Sequence, residues 1–269
     1  MKKIKKTIWL GGIFVLIVGL QIGSSAQLTG KEILEKAIHR YRGDDSIITV
    51  LLKRAKVSNP NDIKQFTITT YRKVRPEVIK ALVAVKKADD PQAKPILFLI
   101  WDWQEKNKED QLWYCLPSVG KYDRINSAKG EELTAKFGFS IEDMRTRNLD
   151  EATHKFEGEV TEDGEKCYKV VSIPNNPQKE GFKQITSWIR PESFTPVKIE
   201  YTGLSGKIEK RLKVTRVEKI QGIWTEMTGI FEDHRKDMLV NFELKKVEYN
   251  PKLSDGLFNF SQPPLEILK

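Results

Sequence analysis

From residue 47 onward, apolar and polar residues alternate with a period of two, the pattern of half-buried strands. Residues 47–57 and 64–74 form the first pair, joined at Ser58-Asn59-Pro60-Asn61; within the second, Phe66, Ile68 and Thr70 alternate with Thr67, Thr69 and Tyr71. A third strand follows at 78–85 and is broken by Asp89-Asp90-Pro91. In the second half, 153–161 and 166–173 flank Asp163-Gly164, a strong two-residue hairpin signal. Strands at 184–190 and 197–202 place Pro191 and Pro196 in their connection, where a missing N–H does least harm. Turns at Ser205-Gly206 and Gln221-Gly222 then separate strands at 207–217, 224–232 and 238–249. The alternation of Val240, Phe242 and Leu244 slips at Lys245-Lys246, which predicts a β-bulge.

Only two stretches read differently. Residues 29–42 carry Ile33, Leu34, Ala37, Ile38 and Tyr41 at helical spacing, with Thr29 and Glu32 placed as a capping box and Gly43 as the stop. Residues 129–137 and 141–147 have helix-forming composition, and together they predict a mid-chain helical loop.

Between them lies the most informative stretch, 95–143. The apolar run Ile96-Leu97-Phe98-Leu99-Ile100-Trp101 is followed by Leu112-Trp113-Tyr114-Cys115-Leu116-Pro117 and then Lys121-Tyr122-Asp123-Arg124-Ile125. This reads as about three consecutive antiparallel strands, apolar on both faces, and such strands need apolar company on both faces. The whole chain then holds about eleven strands, mostly neighbours in sequence. A large antiparallel sheet must curl or close, so the expected fold is mainly β: a curved antiparallel sheet, a half-open and incomplete barrel, with the N-terminal helix and the mid-chain loop packed on its concave face.

The first residues stand apart. Lys2, Lys3, Lys5 and Lys6 precede an apolar run at 8–20, and Ser24-Ser25-Ala26 supplies small residues for cleavage. The run is shorter than the ~20 residues a spanning helix needs, so 1–26 is expected to be a signal peptide cleaved after Ala26. The remainder, 27–269, is expected to be a single exported domain, periplasmic where the cell has two membranes. The formal charge of +9 owes four units to the leader, leaving +5. That mild excess suits a solvated surface or attraction to anionic lipid. No basic helix or nucleic-acid-binding module accompanies it.

The chain has no nucleophile elbow, no phosphate-binding loop and no dinucleotide fingerprint. His39, His154 and His234 have no ligand-like spacing with each other or with Cys115 and Cys167. No metal or cofactor is therefore expected. The two cysteines sit in aromatic strands, either bridged or buried as free thiols. Glu142-Asp143 reads as charge at the first turn of a short helix with Ser140 as cap, while Asp102, Asp123, Glu200 and Glu226 are strand carboxylates with lysines such as Lys198 nearby. The better lead is aromatic. Trp101, Trp113, Tyr114, Phe139, Trp188, Tyr201 and Trp224, together with Trp103, are either ordinary core or the lining of an apolar cavity. Arg124, between an aromatic strand and the helical loop, is the candidate polar latch or headgroup contact.

The residues Trp113, Tyr114, Leu116, Pro117, Arg124 and Ile125, then Phe139, Ser140, Glu142 and Asp143, resemble the pattern of bacterial outer-membrane lipoprotein-sorting proteins, the wider family around the LolA carrier. The similarity resumes at Trp188, Pro191, Pro196, Lys198, Glu200 and Tyr201, and at Gly222 and Trp224. The resemblance implies a half-open barrel over helices and a monomeric, non-enzymatic carrier. Such a carrier would bind acyl chains of a lipoprotein or lipid, receive them from an inner-membrane exporter and pass them toward the outer membrane. Two other readings stay open on the residues alone: a non-catalytic adaptor with a filled core, and an exported hydrolase using paired carboxylates.

Overall fold

The computed structural model describes residues 28–88, 95–105, 107–116, 118–125 and 148–264. The expected leader and the mid-chain helical loop, with Phe139, Glu142 and Asp143, lie outside the described residues. Helix α1 (Gly30–Ile38) precedes strands β1 (Asp45–Ala55), β2 (Lys64–Val74), β3 (Val78–Lys87), β4 (Ile96–Trp103), β5 (Gln111–Cys115) and β6 (Asp123–Arg124). A second series follows: β7 (Ala152–Glu162), β8 (Glu165–Pro174), a one-turn helix α2 (Pro177–Glu180), β9 (Phe182–Ile189), β10 (Pro196–Gly203), β11 (Ile208–Ile220), β12 (Ile223–Asp233) and β13 (Met238–Tyr249).

All thirteen strands belong to one sheet, ordered β6-β5-β4-β3-β2-β1-β13-β12-β11-β10-β9-β8-β7. Each neighbouring pair is antiparallel. The architecture is thus two meanders, β1–β6 and β7–β13, joined where β1 pairs with β13. The sheet is curved but open, with β6 and β7 as its two edges. Thirteen strands are present where about eleven were expected, and the strand read at 121–125 is reduced to the two-residue β6. The bulge expected at Lys245 is present: Thr49 opposes Lys246 while Val50 opposes Leu244, so Lys245 is the extra residue.

Helix α1 begins as expected. The Thr29 hydroxyl accepts from Glu32 N–H at 3.2 Å, and the Glu32 carboxylate accepts from Thr29 N–H at 2.7 Å. It ends at Ile38, four residues before the expected last helical residue, Arg42. Arg40 turns back to donate to the Ala37 carbonyl at 2.7 Å and to Glu226, which satisfies the helix end and draws the chain toward the sheet. Gly30 lies so close to β7 that a Cβ there would meet backbone atoms of Lys155 and Phe156 at 2.9 Å. Ile33, Leu34 and Ala37 are buried against Val170 and Ile189 of β8 and β9. Helix α2 was not expected, although its signals are in the sequence: Asn176 caps it, accepting from Lys179 N–H at 3.0 Å, Pro177 occupies its first position and Gly181 ends it.

Directly opposed residues define the two faces. Val170, against which α1 packs, opposes Ser187; Ser187 opposes Ile199, Ile199 opposes Leu212, Leu212 opposes Phe231, and Phe231 opposes Val240. Val240 opposes Arg54, two residues from Leu52 on β1, and the same face continues through Phe66, Ile68, Val85 and Phe98 to Tyr114. We call this the inner face. On the outer face, Leu82, Leu97, Leu99, Trp113 and Cys115 are sealed by Phe258 from the segment after β13. That segment is pinned by polar contacts: buried Lys73 donates to the Leu253 carbonyl at 2.7 Å and pairs with Asp255 at 2.8 Å, and Asp45 accepts from Leu253 N–H at 2.8 Å.

Phe258 is 0% exposed. Phe258→Ala is expected to lower unfolding free energy by about 3–5 kcal/mol, read as a drop in urea midpoint with an unchanged slope. A loss under about 1 kcal/mol would show that the C-terminal segment is not part of the core.

Candidate functional site

The inner face of the first meander carries a continuous apolar surface. Leu52, Phe66, Ile68, Val83, Val85, Phe98, Met238 and Val240 form its floor, and Val50, Ala81, Ile96, Ile100, Leu112, Tyr114, Phe231 and Phe242 pack against them while remaining only partly buried. It runs from β5 across to β12. Six spacings of about 4.8 Å make it roughly 29 Å wide, about twice the ~15 Å spanned by the chains of one bilayer leaflet. Gly229 shapes one side: a Cβ there would meet the Phe242 ring at 2.5 Å, so the missing side chain lets that ring lie against β12. Helix α1 covers the same face farther along, over β7 to β9.

Polar residues gather at one end of this surface. Arg72 follows Ile68 and Thr70 on β2 and opposes Ser46 and Ala81. Asp102 continues the inner positions Phe98 and Ile100 on β4. Arg40 joins Glu226 of β12, with side chains 11% and 23% exposed. Arg42 is solvent-exposed, yet its pKa is pulled down to about 10, first by burial and then by Arg40, with Arg72 adding to it and Glu226 and Tyr249 opposing. The Arg42 guanidinium stays charged at neutral pH. Burial lowers Arg72 as well, against the attraction of Asp102. The Asp102 carboxyl is raised by burial and then by the neighbouring charge of Asp110.

The sequence-selected residues fall into separate places. Tyr114 lies on the inner apolar surface. Trp101 and Trp113 face outward, with ring centroids 5.6 Å apart, and both contact Phe260, which stacks on Trp113 at 5.3 Å. Lys80 lies over Trp101 at 4.3 Å and Lys108 over Trp103 at 4.2 Å. Trp188 packs with Cys167 and Val197, under Lys198 at 4.1 Å. Tyr201 meets Phe182 at 5.0 Å. Trp224 lies under Lys219 at 4.6 Å and lines a separate cleft of about 690 Å³ with Arg190, Glu165 and Val217. Arg124 is exposed on edge strand β6, opposite Trp113. Phe139 is outside the described residues. Thus the structure brings Trp101, Trp103 and Trp113 together, with Trp103 6.0 Å from Trp101, and sets the other selected aromatics apart. Arg42, Arg72 and the aliphatic floor were not selected from sequence. The period-two pattern of β2, with Ile68, Thr70 and Arg72 on one side, was the available signal.

Cys115 and Cys167 are free, buried in different clusters, and burial raises both thiols. Among the strand carboxylates, Glu200 takes Arg211 at 3.0 Å and Lys198 at 3.6 Å, and Glu162 also pairs with Lys198. Among the described residues, no three His, Cys, Asp or Glu side chains converge as metal ligands, and no helix is long and apolar enough to cross a membrane.

Comparison with known proteins gives the fold a context. The sequence matches, over residues 80–262, the model of a family described as "uncharacterized protein"-like. No curated protein matches it. A DUF1329 family protein from Desulfovibrio piger has a similar structure, with TM-score 0.72 and 20% identity, covering 89% of this chain and 98% of that one. A putative outer membrane lipoprotein-sorting protein domain from Vibrio parahaemolyticus gives 0.67 and 18%, covering 86% and 96%. A LolA superfamily protein from Nitrosomonas europaea gives 0.55 and 19%, covering 87% and 98%. The similarity to LolA-like proteins read from sequence is thus present in the fold.

Asp102 yields a pH test. Its folded pKa lies above its unfolded value, so the folded chain keeps this proton to higher pH. Its contribution to stability is therefore most favourable in acid and falls as pH rises through the unfolded and then the folded pKa. Asp102→Asn is expected to raise the urea midpoint at pH 7 and to leave it unchanged where carboxylates are protonated. A lower midpoint at pH 7 would mean that attraction to Arg72 outweighs burial.

Proposed function

Starting from a chain that belongs to the family matched over residues 80–262 and has a LolA-like fold, we propose that it is a non-enzymatic carrier that holds acyl chains on its inner face. The reading rests on one observation: the partly buried apolar surface from β5 to β12 lies on the same face as α1. Burial of acyl chain contributes about 0.8 kcal/mol per methylene, so a surface this wide can hold a lipid by hydrophobic contact alone. In this reading residues 1–26 direct export, residues 27–269 act as one domain and a monomer in the periplasm, and an inner-membrane exporter supplies cargo destined for the outer membrane. Tyr114 contributes to the cargo surface from its present position. Trp101, Trp113, Trp188, Tyr201 and Trp224 act as support, and Arg124 offers an edge contact for a partner.

Narrowing the surface tests the proposal. Ala81 opposes Arg72 and Ile100 on the inner face. Native mass spectrometry of the mature chain, incubated with phospholipid or a triacylated lipopeptide, is expected to show bound lipid. Ala81→Trp is expected to reduce the bound fraction about tenfold, a loss equivalent to about two methylenes of burial, with the thermal unfolding temperature retained. A chain that takes up neither ligand would sink the carrier reading and favour an adaptor that binds through edge strand β7. Turnover of either ligand would instead favour a hydrolase.

A further inference from the structure

The cleft beside Trp224 shares no lining residue with the inner apolar surface. It lies where three parts of the chain meet: the start of β8, the β9–β10 connection and the β11–β12 hairpin. Its volume of about 690 Å³ is within the ~300–1,000 Å³ of small-molecule sites.

The walls are fixed by their own contacts. Arg190, with its side chain 14% exposed, donates to both oxygens of Glu165, from Nε at 2.5 Å and from Nη2 at 2.7 Å, and through Nη1 to the Pro196 carbonyl at 2.6 Å. Buried Ser193 shares a 2.7 Å hydrogen bond with the Thr195 hydroxyl, which stiffens the connection. Across the cleft, the β11–β12 pairing is irregular on both sides of Arg216: Thr215 is the extra residue on β11 and Met227 the extra residue on β12. Bulges bend a strand and re-aim its side chains, and these two adjoin the part of the pair that carries Val217 and Trp224. Lys219 lies over the Trp224 ring at 4.6 Å and helps to hold it.

The groups left for a ligand are of both signs. Lys166 and Glu192 are exposed at the cleft, and neither has an ion-pair partner among the described residues. Arg216 is offset by Glu218 at 3.2 Å. Net charge therefore selects neither an anion nor a cation. The apolar wall is short, one indole with Val217 and Pro191 beside it, and suits a flat apolar face rather than an extended chain. A pyranose ring has that form: C–H groups on its faces, and around its edge hydroxyls that accept from a cation such as Lys166 and donate to a carboxylate such as Glu192.

We propose that this cleft binds a saccharide, with Trp224 as the stacking platform and Glu192 and Lys166 as polar contacts. The assignment does not rest on the carrier reading.

Ligand-observed NMR titration of the mature chain with chitotriose, maltotriose and trigalacturonate tests it. At least one is expected to bind with a dissociation constant below about 1 mM. Trp224→Ala is expected to weaken that binding at least about tenfold, and Trp224→Phe, which keeps a ring, by less than about threefold. Glu192→Gln, an exposed change, is expected to weaken it about fivefold. Ala81→Trp on the inner face is expected to leave it unchanged, which separates the cleft from the carrier surface. Binding of none of the three would overturn the saccharide site and leave the carrier reading standing. So would binding that survives Trp224→Ala, or that survives Glu192→Gln if the alanine variant does not fold. Binding of trigalacturonate alone, lost in Lys166→Gln and retained in Trp224→Ala, would overturn it in favour of a simple anion site.

Discussion

The pairing of β1 with β13 is the constraint on which the inner face depends. Each meander forms from hairpins between near neighbours in sequence, such as β7–β8 through Asp163-Gly164. Neither alone carries the apolar surface, because its floor combines Leu52, Phe66 and Phe98 from the first meander with Met238 and Val240 from the second. Only the register Leu52–Phe242 and Arg54–Val240 brings those sets side by side. The contacts at this seam join residues almost 200 positions apart, so its closure carries the largest chain-entropy cost in the fold. The Lys245 bulge lies in the seam. By inserting one residue it keeps Leu244 and Phe242 facing inward on one side, while the Lys246 end keeps its own pairing with Thr49.

The seam also determines where the chain after β13 goes. β13 ends beside the start of β1, and the following residues cross the outer face, held by Asp45 and Lys73 on β1 and β2. Phe258 and Phe260 then reach Trp113 and Trp101. A sheet segment apolar on both faces is thereby closed on one side by its own chain. The other face is left to α1 over β7 to β9 and to the half-covered surface over β5 to β12.

Much of this was legible in the sequence where the causes are local. The capping box at Thr29 and Glu32, the Asp163-Gly164 turn, the strands at 64–74 and 238–249 and the slip at Lys245 all involve residues within a few positions of each other. Where causes are distant, legibility ends. The early stop of α1 depends on Glu226, which lies 186 positions from Arg40. Trp101 and Trp113 read equally well as cavity lining or core, and what places them outward under a lid is Phe260, about 150 residues away.

Strand β4 offers an internal comparison between the two faces. Its outward residues Leu97 and Leu99 are 0% exposed beneath the C-terminal segment. Its inward residues Ile96 and Ile100, on either side of buried Phe98, are only partly covered, although they share the same strand, neighbours and hydrophobic character. Burial on β4 follows position along the strand as well as face, since inward Phe98 is 3% exposed while outward Trp101 and Trp103 are only half-buried. In the carrier reading, an acyl chain would cover the residual apolar area on β4, β5 and β12.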